Sequence, residues 1–233
     1  ITLVGNYDAD SRKLEVNGQI PQVTYGANKI SNGVLNINNT NDALVYDVRL
    51  AEFKNESIAV QKVSLNGDVK DNLITYNAST KDGKDETQFL IAGNVEKLGD
   101  LTKISLNPEG LKLNYDNWLV APDNFIQIGD RGILANNFTI SNNGSEIQVQ
   151  SESAVPNSPL NISIKDFKIE TITELIKKDS LLAKGTINGT AQLRDLKNNM
   201  TFTSDLDVTD LFVYGSPVGK LDVKVNNETA QLI

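Results

Sequence analysis

Asp205 and Asp207 are the residues whose type and spacing come closest to a chemical site. They stand two positions apart in "SDLDV", so on a strand both carboxylates lie on the same face. Paired carboxylates can serve glycoside hydrolysis or calcium binding. Leu206 and Val208 alternate with them, which places the two acids on the polar face of an amphipathic strand. Solvated outer-face charges are therefore the favoured interpretation.

Two further stretches rich in acidic residues are explained as turns and not as metal or catalytic sites. The stretch "DADSRK", Asp8 to Lys13, begins like a calcium loop but lacks its glycine and its distal glutamate, so a hairpin turn is predicted. Asp82, Asp85 and Glu86 in "KDGKDE" are predicted to form a charged turn.

The chain contains no histidine and no cysteine. Ser–His and Cys–His nucleophiles and thiolate metal sites are therefore excluded. The stretch "VYGSPVG", Val213 to Gly219, lacks the Lys-Ser/Thr that follows a phosphate loop. We predict that the protein is not an enzyme and uses no cofactor, and we nominate no catalytic, cofactor-binding or metal residue.

The composition limits the partners. The 233 residues carry a formal net charge of −8, and Lys and Arg are scattered along the chain. Nucleic acid and anionic membrane surfaces both require clustered basic residues, so no nucleic-acid partner is predicted. The sequence has no run of about 18 apolar residues, so it predicts neither a membrane-spanning helix nor a signal peptide. The strand-like ends "ITLVG" and "ETAQLI" indicate a piece of a longer protein.

Alternation of apolar and polar residues runs from end to end and predicts about fourteen to seventeen strands. In "SIAVQKVSLNGDV" the alternation shifts phase, which predicts a bulge or a bend near Gln61–Lys62. The pattern aliphatic-x-Gly-x-small or aliphatic recurs in "VNGQI", "LNGDV", "IAGNV" and "INGTA". A glycine inside a strand marks a bend, a bulge or a close approach of backbones.

One segment departs from the strand pattern. In "ETITELIKKDS", Ile172, Leu175 and Ile176 have i, i+3, i+4 spacing, and Lys177 and Lys178 occupy the last turn. This predicts a short amphipathic helix of about two to three turns.

Three architectures could bury one apolar face per strand: a large sandwich, a β-solenoid, or an open trough that holds a non-protein guest. Aromatic residues make up only 6% of the chain, which counts slightly against a sandwich with aromatic plugs. Tyr115 and Trp118 in "LNYDNWLV" mark either a rim of the sheet or ordinary half-buried packing.

The last third of the chain carries a family resemblance. "DSLLAKGTINGTAQLRDL" followed by "MTFTSDLDVTDLFVYGSPVGKLDVKV" resembles the TamB proteins of the AsmA-like family, especially the Bacteroidetes type. The earlier "NYDNWLVAPDNFIQIGDRGILANNFTISNNGSEIQVQSE" is also similar to them. The resemblance implies an all-β fold, an elongated curled antiparallel sheet of the β-taco or repeating β-groove kind with one short amphipathic helix. Residues 1–233 would be one continuous groove segment of a longer protein, with 1–165 and 166–233 as candidate sub-units.

The resemblance also implies a function. Such proteins are periplasmic bridges of Gram-negative bacteria, anchored in the inner membrane and reaching an outer-membrane barrel of the TamA/BamA class. Their hydrophobic groove carries phospholipid acyl chains, assists outer-membrane protein assembly, or does both. Strand alternation nominates nine inward lipid-groove candidates in this chain: Ile187, Ala191, Leu193, Phe202, Leu206, Val208, Leu221, Val223 and Val225.

A hypothesis from another class stands beside this one. An extracellular β-sandwich or solenoid acting in adhesion or glycan binding would have a closed core and clustered exposed aromatic residues. The low aromatic content weighs mildly against it.

Overall fold

The structure is a computed structural model that describes residues 1–40, 42–174, 182–197 and 200–227. It is nearly all β, with 76% of residues in strands, and contains one short helix, α1 (Glu170–Thr173). The strands, in chain order, are β1 (Thr2–Asp8), β2 (Lys13–Tyr25), β3 (Asn28–Thr40), β4 (Ala43–Lys54), β5 (Ala59–Lys70), β6 (Leu73–Lys81), β7 (Thr87–Leu98), β8 (Leu101–Leu113), β9 (Asp116–Val120), β10 (Phe125–Gly129), β11 (Gly132–Asn136), β12 (Phe138–Asn142), β13 (Ser145–Ser151), β14 (Leu160–Lys168), β15 (Ala183–Arg194), β16 (Thr201–Val213) and β17 (Ser216–Asn226).

All 17 strands belong to one antiparallel sheet that is not closed into a barrel. β1 to β8 pair in succession, and β13 to β17 do the same. Between these runs, β9 and β10 both pair with β8, at its end and at its beginning, so together they form one broken strand. β11 and β12 form a second broken strand, which pairs with the first. The sheet is therefore a simple meander, and β1 and β17 are its edges within the described ranges.

The break between β9 and β10 has a side chain in place of backbone pairing. Asn124 is buried, its side-chain oxygen accepts from the Leu106 N–H at 2.9 Å, and its amide donates to the Leu106 carbonyl at 2.8 Å. The same amide donates to the carbonyl of Ala121 at 2.8 Å. Pro122 in this segment has no N–H to donate to a ladder, and Asn124 supplies the missing partners of β8.

A second irregularity crosses four strands. The ladders β2–β3, β3–β4 and β4–β5 each omit one pair, and the omitted residues stand opposite one another: Pro21, Asn32, Ala51 and Lys62. Asn32 and Lys62 both have φ of 48°, in the left-handed region. The sequence predicts a bulge or a bend near Gln61–Lys62, and the structure has an unpaired position there without a register shift, so it is not a bulge. On each strand, the apolar residues on either side of the omitted position are three residues apart instead of two. The unpaired position therefore accounts for the phase shift in the sequence.

The sheet curls with its apolar face inside. The ring of Trp118 on β9 lies 5.8 Å from that of Phe167 on β14, at an interplanar angle of 54°. β12 and β13 separate these strands, so a flat sheet would hold them about 14 Å apart. Only inward curvature brings the two rings together. They form a small buried cluster with Leu111 and Val120.

The curled sheet has no second layer over most of its area. The accessible surface is 14285 Å², whereas a compact protein of 25.5 kDa exposes about 10,400 Å². The sandwich and the solenoid are therefore wrong as architectures, because the chain forms one antiparallel layer. The open trough is the architecture of the three that agrees with the structure.

α1 begins where the sequence predicts a helix and packs beside β15. The hydroxyl of Thr173 donates to the carbonyl of Ala183 at 2.8 Å, and the Glu170 carboxylate accepts from the Gly185 N–H at 3.2 Å. The remaining positions of the predicted helix, Leu175, Ile176, Lys177 and Lys178, lie outside the described residues. Among the residues that are described, no helix has the length and apolar character needed to cross a membrane.

Candidate functional site: the apolar face of the sheet

Directly opposed residues of an antiparallel pair share a face, so the ladder registers define continuous rows across the sheet. One row runs from β1 to β9, and a second runs from β9 to β17. We call these two rows the apolar band; its members are Leu3, Gly18, Leu35, Val48, Leu65, Ala78, Ile91, Leu111 and Trp118, then Val120, Ile140, Ile147, Ile164, Gly189, Leu206 and Val223. No member is charged. The band crosses fourteen strand-to-strand steps, about 67 Å along the sheet before twist and curl.

Cover over this apolar face is unequal along its length. Near its middle, Trp118 is 4% exposed and Val120 is equally buried. Toward the β1 edge, Leu3 is 65% exposed, and on β17 Leu221, a neighbour of the band on the same face, is 43% exposed. The apolar face is thus closed by the curl at its centre and open at its two edge strands, while Val208, the partner of Leu221 on β16, is 8% exposed.

The nine lipid-groove candidates fall on this face together. The registers of β15, β16 and β17 align Ile187 with Val208 and Leu221, and place Leu206 against Val223. Leu193 pairs with Phe202, and Ala191 shares a row with Val225 through Ser204. All nine therefore line one surface, which is continuous with the apolar band.

Three of the four glycines of the recurring pattern, Gly67, Gly93 and Gly189, mark close approaches of backbones. A Cβ on Gly67 would overlap the carbonyl oxygen of Thr75 on the next strand. The Asp68 N–H bonds the Thr75 hydroxyl at 3.0 Å, and the Thr75 carbonyl accepts from the Tyr46 hydroxyl at 2.8 Å. The ring of Tyr46 thus reaches across the glycine strand to satisfy a carbonyl on the apolar side.

The same arrangement recurs in two other places. A Cβ on Gly93 would overlap the carbonyl oxygen of Ser105, and the Tyr76 hydroxyl lies close above it. A Cβ on Gly189 would overlap the carbonyl oxygen of Asp205, and Gly189 has φ of 131°. Close approach of backbones therefore applies at these three positions, and at Gly93 the ladder also shifts register. At Gly18, the fourth glycine of the pattern, a Cβ would first meet the side chains of Leu35 and Leu3 and not a backbone atom.

The carboxylates lie on the opposite face. Asp205 pairs across the ladder with Thr190 and Lys224, and its carboxylate forms a 3.1 Å ion pair with the Lys224 ammonium. Asp207 stands opposite Asn188 and Asp222. Both acids lie on the outer face, as the alternation predicts. Within the described ranges, no three acidic, histidine or cysteine side chains come together in a way that could hold a metal ion.

Asp8 and Asp82, from the two other acidic stretches of the sequence, accept hydrogen bonds within turns. Asp8 accepts hydrogen bonds from Ser11 and the Asp10 N–H in the β1–β2 hairpin, and these lower the pKa of its carboxyl. Asp82 accepts from the backbone N–H groups of Glu86 and Lys84, which lowers its pKa, most through Glu86. Both stretches are turns, as the sequence predicts.

The outer face also contains a polar groove of about 500 Å³ across β13 to β16. Two rows of side chains form its walls: Gln148, Ser163, Thr190 and Asp205, and Gln150, Asn161, Gln192 and Thr203. Within the second wall, the Gln192 amide donates to the Asn161 side-chain oxygen at 2.7 Å. Its lining residues include no aromatic side chain.

The sequence interpretation missed the role of Trp118. A rim position is wrong for this residue, because the indole lies at the centre of the buried cluster. Tyr115 does lie in the β8–β9 turn, where its hydroxyl donates to Asp82 at 3.3 Å. Alternation alone places Trp118 on the apolar face, but four strands of the chain, β10 to β13, lie between it and its partner Phe167 on β14.

Comparisons with protein-family models, with curated proteins and with solved structures gave no match to this chain. The resemblance to the TamB proteins therefore stays a prediction.

Proposed function

We propose that this protein is a segment of a lipid-conducting bridge whose apolar face holds phospholipid acyl chains. The observation that supports this most directly is the apolar band, which is continuous from β1 to β17 and whose face is exposed at both edge strands. Monomeric proteins rarely leave contiguous apolar surface of this extent open to water, and such surfaces mark binding sites.

Acyl chains suit this surface chemically. Each buried CH₂ group contributes about 0.8 kcal/mol without directional contacts. On the flanks of the band the side chains are hydrocarbon, so the binding energy of a chain changes little as it moves along the band. The band runs across the strands, so each added strand lengthens the path by about 4.8 Å.

The outer face suits an aqueous compartment. It carries the charged and amide side chains, including Asp205, Asp207 and Gln192, and the whole chain has a net charge of −8. We place the protein in the periplasm, as part of an inner-membrane-anchored protein of a Gram-negative bacterium. Its partners would be phospholipids and an outer-membrane barrel of the TamA/BamA class, with lipid transport, outer-membrane protein assembly, or both, as its task.

Site-specific photocrosslinking tests the lipid proposal with neighbouring residues as controls. Benzoylphenylalanine is placed at Phe202 or Leu206 on the apolar face, and at Thr203 or Asp205 on the outer face of the same strand. After expression and irradiation, mass spectrometry should find phospholipid adducts at the first two positions and not at the other two. Absence of co-purified lipid together with absence of adducts, or equal adducts on both faces, would contradict the proposal.

The polar groove on the outer face favours a second candidate function, glycan binding. Amides and hydroxyls of Gln148, Asn161, Gln192 and Thr203 converge on a volume that fits a small saccharide. The groove lacks the aromatic platform on which sugars commonly stack. Calorimetric titration with neutral oligosaccharides, repeated on Gln192→Ala, tests this function: wild type should bind and the variant should bind more weakly. No heat of binding with wild type would exclude it.

A further inference from the structure

The indole N–H of Trp118 has no hydrogen-bond partner among the described residues. The side chain is buried, and its Nε1 atom has almost no solvent-accessible area. An indole N–H is a donor only, and its direction is fixed by the ring, so it cannot rotate toward another group as a hydroxyl can. Buried tryptophans usually find an acceptor, and an exception calls for an explanation.

Trp118 packs in a hydrophobic cluster, and no described residue accepts a hydrogen bond from its Nε1 atom. The cluster consists of hydrocarbon and one phenyl ring: Leu106, Leu111, Leu113, Val120, Ile140, Ile147, Ile164 and Phe167. Trp118 also stands where the two rows of the apolar band meet on β9. A fixed polar donor thus lies at the middle of a long apolar path.

We propose that Trp118 is the polar recognition point of this path and donates its indole hydrogen to an ester carbonyl oxygen of an acyl lipid. This inference rests on the proposed lipid function. An ester carbonyl is an uncharged acceptor attached directly to a hydrocarbon chain, so it enters an apolar cluster at modest cost. A free carboxylate or a phosphate would have to give up its hydration there, which is far more costly.

Binding of this kind requires the cluster to open. The Phe167 ring occupies the space beside the indole, 5.8 Å away across the curl. A guest carbonyl would take part of that space. Binding therefore replaces the contact between the two rings by a contact between Trp118 and the lipid. Trp118 and Phe167 thereby form a closure of the trough that an ester-linked lipid opens.

Because Trp118 is the only tryptophan of the chain, one isosteric change can remove the donor. Benzothienylalanine replaces the indole N–H by sulfur at nearly constant shape and can be incorporated in place of all tryptophan. Calorimetry then compares two short-chain phosphatidylcholines of equal chain length, one ester-linked and one ether-linked, on wild type, on the benzothienylalanine protein and on Trp118→Phe.

Wild type should bind the ester lipid about fivefold more tightly than the ether lipid, within the range of one net hydrogen bond. The benzothienylalanine protein, which keeps the shape of the indole, should reduce this preference to below about twofold through loss of ester-lipid affinity, and Trp118→Phe should reduce the preference as well. With a ¹³C-labelled ester, the carbonyl stretching frequency should be lower on wild type than on the benzothienylalanine protein.

The outcomes separate the two proposals. Equal affinity of wild type for both lipids, or an equal loss for both lipids in the variants, overturns the role of Trp118 and leaves the lipid function standing. Failure of wild type to bind either lipid overturns both.

Discussion

Trp118 and Phe167 lie on strands that are three steps apart in the sheet, yet their rings are 5.8 Å from each other. This contact fixes the curvature of the sheet at its centre. It also separates a small closed core from the open edge strands of the apolar face.

Removal of the Phe167 ring should loosen the curl. Phe167→Ala deletes a side chain that is 5% exposed, and we expect a loss of about 3–5 kcal/mol in the free energy of unfolding. Trp118 becomes more exposed to water, so its fluorescence emission should shift to longer wavelength. Phe212→Ala is the matched control, because that half-buried ring lies on the other face under the Lys184 ammonium at 4.2 Å. For Phe212→Ala we expect a smaller loss of stability and an unchanged emission maximum. Equal emission spectra for the two variants would contradict the contact between Phe167 and Trp118 that the curl creates.

Gly67 should not tolerate a side chain. In Gly67→Ala the new Cβ overlaps the backbone carbonyl of Thr75, which cannot move without disturbing the β5–β6 ladder. We expect destabilisation of about 1–3 kcal/mol in denaturant unfolding. Gly83→Ala is the control, since a Cβ at Gly83 meets nothing within 4 Å. Equal stability of Gly67→Ala and Gly83→Ala would show that the backbones at Gly67 and Thr75 are not in close approach.

Tyr46→Phe tests the hydrogen bond across the glycine strand. Loss of the hydroxyl leaves the Thr75 carbonyl without this donor and should cost about 1 kcal/mol, whereas Tyr25→Phe, at a site 83% exposed, should have no effect. Burial, and then the charge of Asp68, raise the pKa of Tyr46 above its ordinary value of about 10. The folded state therefore holds this proton more tightly, and the contribution is fully present below pH 10 and lost as the pH rises through the folded pKa.

The alkaline loss of stability should accordingly be smaller in Tyr46→Phe than in wild type. Chemical unfolding at pH 8 and pH 11 measures it. An identical pH dependence in both proteins would show that Tyr46 does not contribute to it.

Asp82 should make stability depend on pH in the acid range. Hydrogen bonds from the Glu86 and Lys84 N–H groups lower the pKa of its carboxyl in the folded state. The unfolded state binds the proton more tightly, so this contribution is present above the ordinary pKa of about 3.9 and lost as the pH falls through the folded pKa.

The drop in Tm between pH 7 and pH 3 should therefore be smaller in Asp82→Asn than in wild type. Asp100→Asn is the control, because Asp100 lies in the exposed β7–β8 turn and its side chain has no hydrogen bond among the described residues. A change of the same size in both variants would argue against a specific role of Asp82.

Much of the candidate site could be predicted from the sequence, because the determining features are local. The side-chain period of a strand is two, so alternation alone placed Ile187, Leu206 and Val223 on one face and Asp205 on the other. The phase shift at Lys62 followed from the same rule, and the recurring strand glycines indicated a bend, a bulge or a close approach without distinguishing among them.

The rest depended on contacts between distant parts of the chain. Nothing local distinguishes an apolar face that packs on a second sheet from one that stays open, since the alternation is the same in both. The meeting of Trp118 with Phe167 arises from curvature accumulated over three strand steps, and the role of Asn124 arises from a gap in the partner strand of β8. The sequence by itself determined the strands and their two faces, because side-chain direction is set residue by residue. Only the tertiary structure decided that the apolar face forms an open trough, because curvature and cover are properties of the whole sheet.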